Sequence, residues 1–298
     1  MLNLNVRFYC KVFTKMGQKS QFRHRSEAGR LRSVGQMAGN FYIYRLMEKT
    51  LLKNKRIAEL VEHDNKMAQV LYYFGIRFYE YSDQTLEQVC ALRGLKVEQL
   101  VRELESPRNN FQEQDIPLFS YPIDLIIEYL KHSHYLFVKQ KLPYIGKLVE
   151  NFKAGHAEYE SVEKDLKVLY PLFLEDFIHH IYEEEDTLFK YIKTLERAKK
   201  GYYNPTRLYH LMEKHSLQRC AMEHEAHDDE MAGIRSITKD YHLTIDAPLH
   251  IKVIYTELIN FEKSLQVHAR IENQILFPKA MALENEVKQV FFAKAKWN

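Results

Sequence analysis

The chain carries one ten-residue pattern twice, and the second copy reads His268-Ala-Arg-Ile-Glu272-Asn-Gln-Ile-Leu276-Phe277. The first copy, at 180–189, reads His-Ile-Tyr-Glu-Glu-Glu-Asp-Thr-Leu-Phe. In both copies a glutamate follows the histidine by four residues, and a Leu-Phe pair begins four residues after the glutamate. Residues four apart share one face of an α-helix, so each copy directs an imidazole and a carboxylate to one point. That ligand mix suits iron, manganese or zinc, and two copies facing each other predict a dinuclear metal site.

The chain has few residues that break helices, with 10 Gly and 8 Pro among 298 residues. Apolar periodicity predicts four long helices, at about 122–153, 158–198, 205–239 and 248–284. Four long helices joined by short turns are typical of an up-down four-helix bundle, so the predicted fold class is all-α. The two copies of the pattern fall on the second and fourth helices, as a duplicated two-helix unit requires.

The chain divides into four predicted segments. Residues 1–46 hold nine Lys and Arg and a single acid, Glu27. They are interpreted as a basic extension, which is either disordered, as a transit peptide or anion-binding arm, or untranslated sequence upstream of a start at Met47. A small domain of three short helices follows at 47–105. A polar linker at 106–118 then leads to the bundle at 119–298.

Composition excludes several classes of protein. No run of apolar residues is long enough to span a membrane. The three cysteines, Cys10, Cys90 and Cys220, are widely spaced and form no CxxC motif, which favours a reducing cytoplasm and a metal held by nitrogen and oxygen. The net charge is +3, but the chain beyond residue 46 is acidic, which argues against a nucleic-acid partner.

Histidines supply the remaining candidate ligands, because 12 of the 14 lie beyond residue 130. On the first long helix, His134 shares its apolar stripe with Leu130 and Phe137, and we prefer it as a ligand. His132 faces away by roughly 200° and is the alternate. Acidic neighbours of the first motif, such as Glu185, are interpreted as a solvated face.

The third long helix offers two histidines in Glu-His224-Glu-Ala-His227-Asp-Asp-Glu-Met231. His227 lies one turn before Met231 on the inward stripe of a continuous helix, and we prefer it. His224 is the alternate ligand, or a residue that supports the ligands.

With this ligand set, the chain resembles the hemerythrin-like iron–sulfur cluster repair di-iron proteins over about residues 50–285. The resemblance implies a hemerythrin-like bundle that holds two iron ions, bridged by an oxo group or by carboxylates. The implied ligands are His134, His180, Glu184, His227, His268 and Glu272, with His132 and His224 as alternates.

The small domain resembles the amino-terminal domain of the same family. The shared segments are Tyr73-Phe-Gly75-Ile76 and Leu86-Glu-Gln-Val-Cys90. The family typically carries adjacent cysteines after the first segment, and this chain has none there. That departure bears on thiol-dependent iron delivery or partner docking and leaves the metal ligands untouched.

The resemblance implies that the protein protects or repairs iron–sulfur clusters damaged by nitric oxide or oxidative stress, by supplying iron to damaged iron–sulfur proteins. The alternative is binding, sensing or reduction of oxygen, nitric oxide or peroxide at the same centre. A hypothesis of another class is a non-catalytic helical interaction protein whose histidines are incidental. The sequence is compatible with a catalytic or a non-catalytic centre and with a homodimer.

Overall fold

The computed structural model of the protein describes residues 52–105, 118–226 and 229–295. They fall within one compact unit, Leu52–Asn298. Within these ranges the regular structure is helical, apart from one isolated β-bridge between Arg56 and Thr85. The predicted all-α class is therefore confirmed. The predicted basic extension at 1–46 and residues 106–117 of the predicted linker lie outside the described residues.

The described part of the region before residue 106 includes the short α-helices α1 (Ile57–His63), α2 (Lys66–Tyr73), α3 (Leu86–Arg93) and α4 (Val97–Glu105). A 3₁₀ turn at Phe78–Glu80 lies between α2 and α3. Apolar periodicity from Ile57 to Leu71 alone predicts one helix where α1 and α2 lie. The two separate because Asp64 has an extended backbone and its carboxylate accepts a hydrogen bond from the backbone N–H of Lys66. Thr85 caps the start of α3, and Gly94, at φ 67°, ends it.

The bundle follows in four stretches. The first contains α5 (Ile123–Leu136) and α6 (Leu142–Asn151), and the second contains α7 (Ala157–Glu183) and α8 (Lys190–Lys199). The third contains α9 (Pro205–Lys214), α10 (Leu217–Ala226) and α11 (Ala232–Ile237), and the fourth contains α12 (Leu249–Ile271) and α13 (Phe277–Ala295). Stretches one, two and four run unbroken through a π-helical turn, at Phe137–Lys141, Glu184–Phe189 and Glu272–Leu276 respectively.

The third stretch corrects the prediction of one continuous helix at 205–239. The backbone of His215 is extended and ends α9, and the hydroxyl of Ser216 accepts from the N–H of Arg219 to start α10. Residues 229–231 are also non-helical, so a second break precedes α11. The local capping group at Ser216 outweighs the apolar periodicity that predicted a single helix.

Two apolar clusters fill the core. One joins the small helices to α6, α7 and α12, and the other joins α5, α8 and α13. The small helices thus share a core with the bundle, and Asn65 of this region donates a hydrogen bond to the hydroxyl of Thr256 on α12 at 3.1 Å. Along stretches one, two and four, the buried side chains of His134, Glu184 and His268 lie where residues of one cluster are followed by residues of the other. No helix in the described ranges is both long enough and apolar enough to cross a membrane.

His250 joins the small helices to the bundle. Its ring stacks on Tyr79 with centroids 4.8 Å apart, and its Nε2–H donates to the carbonyl of Leu148 at 2.9 Å. Burial lowers the pKa of His250 to about 4. The folded protein therefore takes up this proton less readily than the unfolded chain, whose histidines have a pKa near 6.5.

We predict that His250 makes the metal-free protein sensitive to mild acid. Between pH 6.5 and 4 the unfolded state binds a proton that the folded state does not, so stability is present above pH 6.5 and is lost as the pH falls toward 4. The loss between pH 7 and pH 5 is roughly 2 kcal/mol. The free energy of unfolding, measured in urea, should therefore fall by roughly 2 kcal/mol less between pH 7 and pH 5 in His250→Gln than in the wild type. His132→Gln, at an exposed position, should match the wild type, and a His250→Gln protein that does so would refute the prediction.

Candidate metal centre

Six side chains converge in the middle of the bundle, each from a helix or turn already described. They are His134 from α5, His180 from α7, His224 from α10, His268 from α12, and Glu184 and Glu272 from two π turns. Four of them are almost fully buried, with exposures of 2% for His134, 7% for Glu184, 7% for His268 and 1% for Glu272. Buried carboxylates at this density require positive charge or hydrogen bonds around them.

One half of the cluster contains His134 and His268. Their Nε2 atoms are 3.0 Å apart, and Nε2 of His134 is 3.4 Å from Oε2 of Glu184. Nε2 of His268 is 3.2 Å from Oε1 of Glu272. Two imidazole nitrogens and two carboxylate oxygens therefore surround one point.

The other half contains His180 and His224. Nε2 of His224 lies 3.1 Å from Oε1 of Glu184 and 3.1 Å from Oε2 of Glu272. Nε2 of His180 is 3.3 Å from the same oxygen of Glu184. Each glutamate therefore directs one oxygen to each half, which is the geometry of a bridging carboxylate.

The donor spacing fits bound cations. Two atoms that each lie about 2.1 Å from one ion are about 3.0 Å apart at a right angle and about 3.4 Å apart at a tetrahedral angle. The distances within each half fall in this range. Oε1 of Glu272 is buried and has no hydrogen-bond partner among the described residues, although it faces an imidazole nitrogen. An orphaned acceptor in such a place is explained by a cation.

Hydrogen bonds orient two of the imidazoles. Nδ1–H of His134 donates to Glu185 at 3.0 Å, and the other oxygen of Glu185 pairs with Lys131 at 3.2 Å. Nδ1–H of His224 donates to the amide oxygen of Asn273 at 3.0 Å. With the proton on Nδ1, the lone pair stays on Nε2, which faces the centre.

The π turns coincide with the ligand motifs. Two of them begin at the candidate ligands Glu184 and Glu272, and the third begins three residues after His134. A π turn adds a residue to one turn of helix and rotates the remainder of the helix about its axis, and such turns occur frequently at functional sites. Here they place the glutamate carboxylates on the inward face while the apolar stripes continue beyond them.

The phenylalanines of the two Leu-Phe pairs cover candidate ligand histidines on stretches one and three. Phe189 stacks on His134 with centroids 5.7 Å apart, and Phe277 meets His224 edge-on at 5.6 Å. Phe137 meets His268 in the same way at 5.6 Å. These rings keep water away from the imidazoles, which strengthens every electrostatic interaction at the centre.

The carboxylates raise the pKa values of the histidines that face them. Burial lowers the pKa of His224, but hydrogen bonds and charges of Glu184 and Glu272 outweigh it and raise the pKa to about 11. The hydrogen bond to Glu184 raises the pKa of His180 to about 8. Burial raises the pKa of Glu184, yet the histidines around it hold that pKa well below 4.5. In the metal-free protein, protons therefore occupy positions from which a bound cation would displace them.

The structure brings together five of the six preferred ligand candidates. These are His134, His180, Glu184, His268 and Glu272. The sixth position is filled by His224, which was the alternate, while His227 lies outside the described residues. The other alternate, His132, is exposed.

Three further residues around the centre were not predicted from the sequence. Glu185 was interpreted as solvated, yet it binds His134. Asn273 follows a ligand directly, and Glu230, in the segment before α11, lies 3.6 Å from Nε2 of His180. Each contact crosses from one helix to another, so no spacing along the chain indicates it. The one signal in the sequence was that Glu185 and Asn273 each follow a predicted ligand.

Two cavities adjoin the half that contains His180. A cavity of about 30 Å³ lies between the ligands, and Phe177, His224 and Glu230 are among its walls. This volume has room for about two water molecules or one diatomic ligand. A groove of about 700 Å³ shares Phe177, His180 and Glu230 with it and continues along α7 past Leu172.

The chain is similar to curated proteins over most of its length. No protein-family model matches it. It is 19% identical over 224 residues to "Iron-sulfur cluster repair protein ScdA" of Staphylococcus haemolyticus, which covers 75% of this chain and 96% of that protein. It is 23% identical over 239 residues to "Iron-sulfur cluster repair protein YtfE" of Musicola paradisiaca, covering 77% and 97%. The chain is thus similar to curated proteins named for iron–sulfur cluster repair, which confirms the resemblance predicted from its histidine and glutamate motifs.

Proposed function

We propose that this protein is a hemerythrin-like di-iron protein that protects or repairs iron–sulfur clusters damaged by nitric oxide or oxidative stress. In this proposal it supplies iron to damaged iron–sulfur proteins in the cytoplasm. The observation that carries the proposal is that Glu184 and Glu272 each direct one oxygen to one half of a four-histidine cluster and the other oxygen to the other half. Two cations held by these carboxylates and the four histidines would satisfy the polar groups that face the centre. The names of the relatives connect chains of this kind with cluster repair.

The donor set supports iron. The groups of possible metal ligands among the described residues contain histidine and glutamate and no cysteine. Imidazole with carboxylate holds iron in both its ferrous and ferric states, and that redox pair is the chemistry iron supplies when bound. The protein's own residues hold the ions, orient the imidazoles through Glu185 and Asn273, and exclude water with three phenylalanines.

The test begins with metal content. After anaerobic reconstitution with Fe(II), we expect about two irons per chain, and fewer than about half an iron per chain would end the di-iron proposal. The loaded protein is then added to an iron–sulfur enzyme inactivated by nitric oxide. Recovery of that enzyme's activity, beyond the recovery that free Fe(II) at equal concentration gives, supports iron supply. The metal-free protein is the matched control and should restore nothing.

The cavity beside His180 and His224 favours one second candidate, which is binding, sensing or reduction of nitric oxide, oxygen or peroxide. Its volume of about 30 Å³ suits a diatomic molecule next to the second half of the centre. Stopped-flow measurement of nitric oxide consumption by the loaded protein and a reductant tests this role. Catalytic consumption without recovery of the damaged enzyme would replace iron supply by this second function.

A further inference from the structure

The two halves of the cluster differ in their access to solvent. His134 and His268 are nearly fully buried, whereas the side chains of His180 and His224 are 38% and 11% exposed. The groove along α7 has His180 in its wall and none of the other five ligand candidates. An ion in the half that holds His180 therefore has a route to solvent along the groove.

Glu230 lies where this route meets the centre. Its Oε1 is 3.6 Å from Nε2 of His180, and its Oε2 is buried without a hydrogen-bond partner among the described residues. A buried carboxylate oxygen without a partner is costly, and a cation nearby would satisfy it. Glu230 is also a wall of both the inner cavity and the groove, so its carboxylate faces the path between them.

An ion-pair network holds the segment that carries Glu230. Arg235 of α11 binds the carboxylates of Asp229 and of Glu262 on α12. Glu262 also accepts a hydrogen bond from the hydroxyl of Tyr241 at 2.7 Å. The residue directly before Glu230 is thus tied to the fourth stretch of the bundle, which fixes the Glu230 carboxylate beside His180.

We infer that Glu230 supplies an outer carboxylate ligand to the ion in the half with His180 and His224, and that this ion is the one that exchanges with solvent. The bound ion is a divalent first-row cation, which is Fe(II) in the proposed function. The inference rests on that function. Beside the half with His134 and His268, the Glu185 carboxylate binds Nδ1 of His134, on the side of the ring away from the centre, and the groove along α7 does not reach either histidine. The two ions of one centre therefore leave at different rates, which suits a protein that supplies iron.

Release of iron to a chelator tests the inference without any measurement of activity. The protein is loaded anaerobically with two Fe(II), and an excess of a ferrous chelator is added while its absorbance is followed. The wild type should release one iron per chain in each of two phases. Glu230→Gln removes the negative charge at constant size and should accelerate the fast phase about tenfold while the slow phase is unchanged. Glu230→Asp keeps the charge on a shorter side chain. Its fast-phase rate should lie between the rates of the wild type and Glu230→Gln.

Glu183→Gln is the matched control. Glu183 precedes a ligand directly but is 65% exposed and pairs with the exposed His179, so both phases should stay as in the wild type. Release of both irons in a single phase, or a fast phase unchanged in Glu230→Gln, would overturn the inference. Uptake of no more than one iron by the wild type would overturn both the inference and the di-iron centre. Normal two-phase release together with failure to restore a damaged enzyme would reject iron supply alone.

Discussion

Replacing Glu272 by alanine is expected to abolish di-iron loading, from about two irons per chain to fewer than about half an iron. Glu272 is 1% exposed, and its two oxygens face His268 in one half and His224 in the other. One substitution therefore removes a charged donor from both ions at once. Loss of a group that only supports a ligand lowers metal affinity by about 10- to 100-fold, and loss of a shared charged ligand exceeds that.

The measurement is iron per chain after anaerobic reconstitution and desalting. Glu272→Gln, of the same size, separates loss of charge from loss of packing and should also fail to hold two irons. His132→Ala is the matched control, because it removes an imidazole from an exposed position on the helix that carries His134. It should load as the wild type does. Two irons retained by Glu272→Ala would show that this carboxylate does not bridge the centre.

The repeated motif predicted much of the centre because its spacing matches the helix. The offset of four residues places His268 above Glu272 on one face, and the structure has them 3.2 Å apart. The choice between His132 and His134 followed from the apolar stripe alone, and the structure buries His134 and exposes His132. In both cases the residues compared lie on one continuous helix, so their spacing along the chain was sufficient to predict which of them face the centre.

The third stretch could not be predicted in this way because it is not one helix. The preference for His227 assumed a continuous inward stripe that reaches Met231. In the structure α10 ends at Ala226 and α11 begins at Ala232, so the face of Met231 gives no information about α10. The π turns could not be predicted for a related reason. Each adds a residue to one helical turn and so shifts the spacing by which residues are assigned to a helix face. Glu230 lies beside His180 only through contacts between different stretches of the bundle.

The identity of the ligand on the third stretch is decided by comparing two alanine variants. His224→Ala is expected to reduce loading from about two irons per chain to one or fewer. The imidazole of His224 lies 3.1 Å from both glutamates in the more exposed half. Its loss leaves His180 as the only ligand imidazole in that half among the described residues. The half with His134 and His268 keeps all its donors, so the iron that remains should be the slowly released one.

His227→Ala is expected to retain two irons, because the position that faces both glutamates is already filled by His224. The two variants remove the same group three residues apart, so any difference between them reports the ligand position and not the number of histidines. Asn273→Ala provides an independent measure, since it removes the acceptor that holds Nδ1 of His224 at 3.0 Å and leaves every candidate ligand in place. It should weaken binding of one iron by about 10- to 100-fold and leave the other unchanged. Loss of iron in His227→Ala with full loading in His224→Ala would make His227 the ligand. The imidazole that faces both glutamates would then come from the turn after His224.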